Sequence, residues 1–373
     1  MSCLFSENIN QKTRENINAL FQTFTHPSLQ QNLIQLNAIK KIEKGGDTLR
    51  IELQMPFVWQ LGFEQLKAEL SEKLQQIAEC SQLKWILKTN VATLKRANGQ
   101  PAVKGVKNII AVTSGKGGVG KSTISVNLAL ALQALGAKVG VLDADIYGPS
   151  IPHMLGAAEQ RPTSPDNKHI NPIVAHGLVA NSIGFLMDAD NATVWRGPMA
   201  SSALNQLLQE TLWAKHGELD YLVIDMPPGT GDIQLSLAQQ IPVTGAIVVT
   251  TPQDIALLDA VKGIAMFNKT SIPVLGIVEN MSMHICSQCG HHEPIFGTGG
   301  AEKMAEKYKV KILSQQALHI QLREDMDNGM PTVVNHPDSE IAQSFLQLGQ
   351  KVAAELYWQG KVIPGEILFT EVN

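Results

Sequence analysis

Two different rhythms of apolar and polar residues divide the chain. In "DTLRIELQM" the residues Leu49, Ile51, Leu53 and Met55 alternate with polar neighbours at the period of a half-buried strand. The preceding run "LIQLNAIKKI" is separated from it by Gly45-Gly46-Asp47, and such a break between two strand-like runs predicts a hairpin. "INALFQTF" supplies the apolar side of a short helix, a helical stretch is expected near 62–77, and "LKWILK" reads as a strand near 83–88. Together these make a small α+β domain over residues 1–94. The segment "KRANGQPAVKG" (95–105) is basic, contains Pro and Gly and has no periodicity, so it reads as a linker.

After residue 105 the rhythm changes. The short runs "NIIAVT", "KVGVLD", "YLVIDM", "GAIVVTT" and "PVLGIVEN" are apolar on both faces and alternate with longer helical segments. Strands of that kind belong to a parallel sheet covered on both sides. The expected fold over 106–373 is therefore α/β, a mostly parallel sheet with helices on both faces.

Composition narrows the function classes. The 373 residues are 44% hydrophobic and 17% charged, which suits an ordinary two-domain globular protein. A net charge of −4 does not by itself indicate a strongly basic surface for nucleic acid. No apolar run approaches the ~18 residues that a spanning helix needs. "MSCLFSENINQKTREN" lacks the pattern of a signal peptide, and "KVIPGEILFTEVN" that of an amphipathic anchor. Four cysteines, with Cys3 and Cys80 standing alone, form no disulfide framework; Cys3 is expected as an exposed thiol and Cys80 in the core. The expectation is a cytoplasmic protein with reduced thiols, acting on neither nucleic acid nor membrane.

The chemistry begins at Gly115-Lys116-Gly117-Gly118-Val119-Gly120-Lys121-Ser122-Thr123, between an expected strand and an expected helix. A glycine, four residues, then Gly-Lys-Ser is the phosphate loop. Its glycines let successive amide N–H groups face phosphate oxygens, and the following helix adds its positive end. Lys121 is expected on the β- and γ-phosphates of ATP, and the Ser122 hydroxyl on Mg2+. Asp143 and Asp145 end one strand and Asp225 another. In open parallel sheets ligands sit beyond the carboxyl ends of the strands, so all three carboxylates would face the loop. Asp225 is the outer partner of magnesium, Asp145 orients the attacking water, and Asp143 supports magnesium and the loop.

Lys116, where the ordinary loop sets no constraint, would by itself be a solvated lysine. "GKGGVGKST" resembles the deviant phosphate-loop ATPases, and that resemblance implies that Lys116 crosses a homodimer interface to the partner's nucleotide. "LDADIYGPSIPHMLG", "VWRGPM", "DMPPGTGDIQLSLAQ", "TTPQDIALLDA", "GIVENMS" and "CSQCGHHEPIFGTGG" narrow it further. Over about 106–360 the chain resembles the Mrp-type iron–sulfur cluster carrier ATPases, relatives of septum-site and plasmid-partition ATPases and of nitrogenase iron protein. The resemblance implies ATP hydrolysis, cluster scaffold proteins and apo iron–sulfur proteins as partners, and an adenine contact by Asn280; a loop-capping role fits Asn280 equally. Trp195-Arg196-Gly197-Pro198-Met199 is characteristic of the family, without a physical role that the residues reveal. The first 94 residues resemble the iron–sulfur-assembly domain that bacterial members carry. Met55 stands where that domain typically has a cysteine before a proline, so it is expected to dock or regulate and to carry no cluster.

Cys286 and Cys289 form a Cys-x-x-Cys-Gly knuckle, which is half of a four-thiolate site. A thioredoxin-like pair would open a helix, and "GHHEPIFGTGG" is a poor helix start. His291 and His292 lie close in sequence for completing a tetrahedral zinc site in one chain. In a symmetric dimer two knuckles meet and supply four thiolates, enough for a bridging [4Fe–4S] cluster. Zinc suits the same four thiolates. The alternative function is thus an ATPase with structural zinc across the dimer, working as a spatial or regulatory switch. A positioning ATPase needs no such knuckle, and a nitrogenase-reductase-like donor has its cysteines far apart in the chain.

Overall fold

The computed structural model describes residues 4–186 and 197–363, which build two separate sheets. Cys3, Trp195 and Arg196 lie outside the described residues. The first sheet is built from β1 (Leu4–Phe5), β2 (Ile39–Gly45), β3 (Thr48–Met55) and β4 (Gln82–Thr89), with helices α1 (Gln11–Thr23) and α2 (Gln60–Ala78) between them. Strands β2 and β3 form the antiparallel hairpin, and β4 lies parallel to β3. Along β3 the alternation is realised: Leu49, Ile51, Leu53 and Met55 are buried while Arg50 is exposed. Met55 therefore offers a thioether inside the core and no ligand at the surface.

The second part runs β5 (Val106–Ser114), α3 (Lys121–Ala134), β6 (Val139–Asp143), α4 (Ile151–Met154), β7 (Ile173–Ala175) and β8 (Leu178–Ser182). It continues with α5 (Gly197–Glu210), β9 (Leu219–Asp225), α6 (Asp232–Gln240), β10 (Gly245–Thr250), α7 (Asp254–Lys269) and β11 (Val274–Ile285). The last elements are β12 (His292–Glu293), α8 (Gly300–Tyr308), β13 (Ile312–Leu318), α9 (Ile320–Asp327), α10 (Thr332–Asn335) and α11 (Glu340–Gln359). The strand order is β12-β11-β10-β5-β9-β6-β8-β7, with β13 also paired to β11. All these pairs are parallel except β7 with β8 and β11 with β12. Every residue of β6 and β10 is buried, because helices cover both faces, and that is why these runs carry apolar side chains without alternation. Strand β5 sits between β10 and β9, where the chain turns from one half of the sheet to the other, so the loop after it opens into a crevice.

Residues 95–105 are held in place. Ala97 N–H donates to the Val243 carbonyl, the Asn98 amide bridges the carbonyls of Ala238, Gln239 and Ile241, and Val103 is buried. Helix α11 joins the two parts. The first turn of α2 has no side-chain cap of its own, and Gln350 of α11 provides one: its Oε1 accepts from Leu61 and Gly62 N–H at 2.9 and 3.2 Å. Trp358 Nε1 donates to the Ser28 carbonyl, and Phe57 packs on Tyr357 and Trp358. The same α11 lies on α3, so closely that a Cβ at Gly349 would press on Ala131. No helix of the described residues is long and apolar enough to cross a membrane.

Candidate nucleotide and thiol sites

The phosphate loop is shaped by what packs behind it. Gly120 adopts φ +81°, in the left-handed region that glycine tolerates, and a Cβ there would collide with the Asn280 side chain. Gly115 leaves room for the backbone of Asp259 on α7. Ser114 Oγ donates to the Lys116 carbonyl at 2.8 Å, and Asn280 Nδ2 to the Val119 carbonyl at 2.9 Å. The loop thus has one anchor on β5 and one on β11. Gly117, Gly118, Gly120, Lys121, Ser122 and Thr123 line a cavity of about 250 Å³, with Asp145, Met154 and Pro228 opposite them.

Asp225 is the hub beneath that cavity. Its carboxylate accepts from Lys121 Nζ at 2.7 Å, Ser122 Oγ at 2.6 Å and Ser125 Oγ at 2.6 Å. Lys121 and Asp225 are both buried, so each charge relies on the other. Parallel register sets Asp143 of β6 directly opposite Asp225 of β9. Burial first, and then repulsion from Asp225, push the Asp143 carboxyl up to about 7, while Lys121 and the N–H groups of Ile151 and Asp145 pull the other way. Ser182 Oγ also donates to Asp143, at 3.1 Å. Asp145 is half-buried, and burial raises its carboxyl above the usual range; Gly148 N–H donates to it. Ser122, Asp225 and Asp143 together offer hard oxygen donors beside a lysine and a loop of amides, a set that suits Mg2+ and phosphate. The Pro227-Pro228-Gly229 turn closes this side, with Gly229 N–H on the Ser114 carbonyl and Gln234 Nε2 on the Pro227 carbonyl at 2.5 Å.

Lys116 is only partly exposed, and no carboxylate of the described residues pairs with it. Asn280 is buried with its amide turned to the loop, so here it braces Val119. The residues that sequence reasoning missed are Ser125, Ser182 and Gln234. Each hydroxyl or amide is ordinary in sequence and joins the candidate site only through the carboxylate or turn that it supports.

The knuckle follows β11 immediately. Cys286 N–H donates to the His291 carbonyl and Gly290 N–H to the Cys286 carbonyl, both at 2.9 Å, and β12 folds back on His284 and Ile285. Backbone N–H groups of Gln288 and Cys289, then the Cys289 thiol, hold the Cys286 thiol below its ordinary range, which favours the ligating thiolate. Cys289 is exposed, and so are His291 and His292. Among the described residues no three of His, Cys, Asp and Glu gather to hold a metal ion, so one chain presents two thiols and no complete set. Cys80 is partly buried against the core.

Comparison with known proteins agrees with this geometry. Residues 105–353 match the family model described as ParA, NUBPL iron-transfer P-loop NTPase. An iron–sulfur cluster carrier protein of Haemophilus influenzae is 72% identical over 373 residues, covering 100% of both chains. One of Escherichia coli is 66% identical over 349 residues, covering 94% of each. A nucleotide-binding protein from Archaeoglobus fulgidus, solved in complex with ADP, shares 36% identity at a TM-score of 0.55, over 65% of this chain and 93% of that one. The chain belongs to the ParA-type family of NUBPL iron-transfer P-loop NTPases, the Mrp-type proteins whose resemblance its motifs carry.

Proposed function

We propose that this protein is a cytoplasmic iron–sulfur cluster carrier that binds and hydrolyses magnesium–ATP. It carries a [4Fe–4S] cluster between the two chains of a homodimer, receives it from scaffold proteins and passes it to apo-proteins. The observation that carries this reading is that one strand, β11, reaches both sites. Asn280 of β11 touches the phosphate loop, and Cys286 stands one residue beyond the end of β11. The names of the bacterial relatives and the ADP bound to the archaeal one support it.

Each group then has a task. Loop amides and Lys121 bind the phosphates. Ser122, with Asp225 and Asp143 behind it, would hold magnesium, which when bound neutralises phosphate charge. Asp145 orients the attacking water from across the cavity. Lys116 of each chain serves the partner's nucleotide, and a cation supplied this way is worth roughly a thousandfold in rate. The cluster is cargo: Cys286 and Cys289 of two chains supply its four thiolates. The N-terminal domain, divided from the ATPase by residues 95–105, is a docking or regulatory module. Two variants test the assignment together. Lys121→Ala should lose ATP turnover and still accept a cluster in vitro, whereas Cys286→Ser should keep turnover and lose both the cluster and activation of an apo-acceptor. Wild-type acceptor activation by Cys286→Ser would refute the carrier reading.

A further inference from the structure

The strand that joins the two sites contains an irregularity that a plain β-strand would not need. Between Glu279 and Met283, β11 advances four residues while β13 advances two, from Gln315 to Ala317. The surplus forms a bulge in which Met281 sits at φ +58°, a costly conformation for a residue with a side chain. Strained backbone of this kind persists where surrounding contacts over-determine it.

Two buried side chains do so here, Asn280 towards the phosphate loop and Glu279 towards β13 and α8. Asn280 reaches the phosphate loop through the Val119 carbonyl, and Val119 is itself buried. Glu279 is 2% exposed, yet among the described residues no cation pairs with its carboxylate. It accepts from Ser282 Oγ at 2.9 Å, from Gln315 Nε2 at 2.9 Å and from Ala301 N–H at 3.2 Å. Those donors lie on the bulge itself, on β13, and on the first turn of α8, which begins where the segment after the knuckle ends. A carboxylate is expensive to bury and is satisfied here by three hydrogen bonds, one of them at a helix N-terminus. Glu279 thereby ties the strand that leads into the knuckle to β13 and to the helix that follows the knuckle segment.

We propose that Glu279 and Asn280 are positioning residues that couple the phosphate loop to the Cys286–Cys289 knuckle within a single chain, by setting the bulge of β11. Phosphates that fill the loop fix the Val119 carbonyl, Asn280 then fixes the bulge, and Glu279 passes that order to the thiols. Coupling through one buried hydrogen bond is worth roughly two- to tenfold. The inference rests on the carrier reading for its biological meaning, and its test does not use a cluster.

Cluster-free protein is alkylated with N-ethylmaleimide, with and without magnesium and a non-hydrolysable ATP analogue, and the rates at Cys286 and Cys289 are read by peptide mass spectrometry. In wild type the nucleotide slows both thiols by roughly two- to tenfold, and dilution to monomer does not remove the effect. In Glu279→Gln an amide donor replaces one acceptor oxygen against three donors, and the nucleotide effect is lost while analogue affinity is retained. Ser282→Ala, which deletes one donor, halves the effect and serves if the first variant folds poorly. A response that vanishes on dilution, or one that both variants keep in full, overturns coupling within the chain. Neither outcome touches the carrier reading, which falls if Cys286→Ser still holds and transfers a cluster.

Discussion

Truncating Asp225 to alanine removes the acceptor shared by Lys121, Ser122 and Ser125 at 2.7, 2.6 and 2.6 Å. Lys121 has a side-chain exposure of 6%, so its ammonium would remain buried without its counter-charge. Removing one partner of such a pair costs about 3–5 kcal/mol, and the Ser122 hydroxyl, left without its acceptor, adds about 1 kcal/mol, whereas Ser125 Oγ keeps the Lys121 carbonyl. One effect opposes this. Asp143 lies in register with Asp225 and is raised partly by its charge, so losing Asp225 relieves that repulsion and leaves Asp143 as the counter-charge near Lys121. The net loss should then be about 3 kcal/mol, and about half of that for Asp225→Asn, which keeps one carbonyl. The assay is urea denaturation of the nucleotide-free proteins at pH 7.5, followed by circular dichroism. ADP without magnesium should narrow the gap between Asp225→Ala and wild type, because phosphate replaces the missing carboxylate beside Lys121. A nucleotide-free Asp225→Ala protein within about 1 kcal/mol of wild type would show that the buried pair does not hold the loop as described.

Lys116→Ala and Asp145→Asn should each hydrolyse ATP slowly, yet a mixture of the two should regain part of the activity, since one composite site in a mixed dimer keeps both groups. A mixture no more active than its parents, with mixed dimers confirmed by mass, would place both groups within one chain. Asp143 makes a pH prediction: its carboxyl is raised to about 7, above the unfolded value, so the nucleotide-free fold is favoured by the protonated form and loses stability as pH rises towards 7. Magnesium needs the ionised form, so the thermal stabilisation given by magnesium–ADP should be larger at pH 7.5 than at pH 5.5; scanning fluorimetry at the two pH values measures it. Gln350→Ala leaves the Leu61 and Gly62 amides without their acceptor. Their hydrogen exchange should quicken by roughly tenfold, the equivalent of about 1.4 kcal/mol, with the amides of β5 and β9 unchanged.

Much of the fold was legible because burial on both faces leaves a plain mark. The runs that became β5, β6, β9 and β10 have centres that are apolar on both faces, and the alternation of Leu49 to Met55 marked the half-buried β3. The hairpin of β7 and β8 was not read, because "PIVAHGLVANS" is too short and mixed to show a period. Strand β11 ran past the expected end at "VEN" to Ile285, since the bulge lets the ladder resume after polar residues. The phosphate loop and the knuckle were legible because local spacing alone dictates their geometry. Ser125, Glu279 and Gln350 were not, because each acts on a partner far away in sequence. A serine inside a helix, a glutamate towards the expected end of a strand and a glutamine on an amphipathic helix carry no local sign that they are buried.

The central claim is that two half sites make one cluster site. Native mass spectrometry of the protein reconstituted anaerobically with iron and sulfide, in the presence of competing zinc, tests it directly. The account predicts a species with the mass of two chains plus one [4Fe–4S] cluster, absent from Cys286→Ser and from Cys289→Ser. A dimer carrying one zinc ion in place of the cluster, or a single chain carrying a cluster alone, would contradict it.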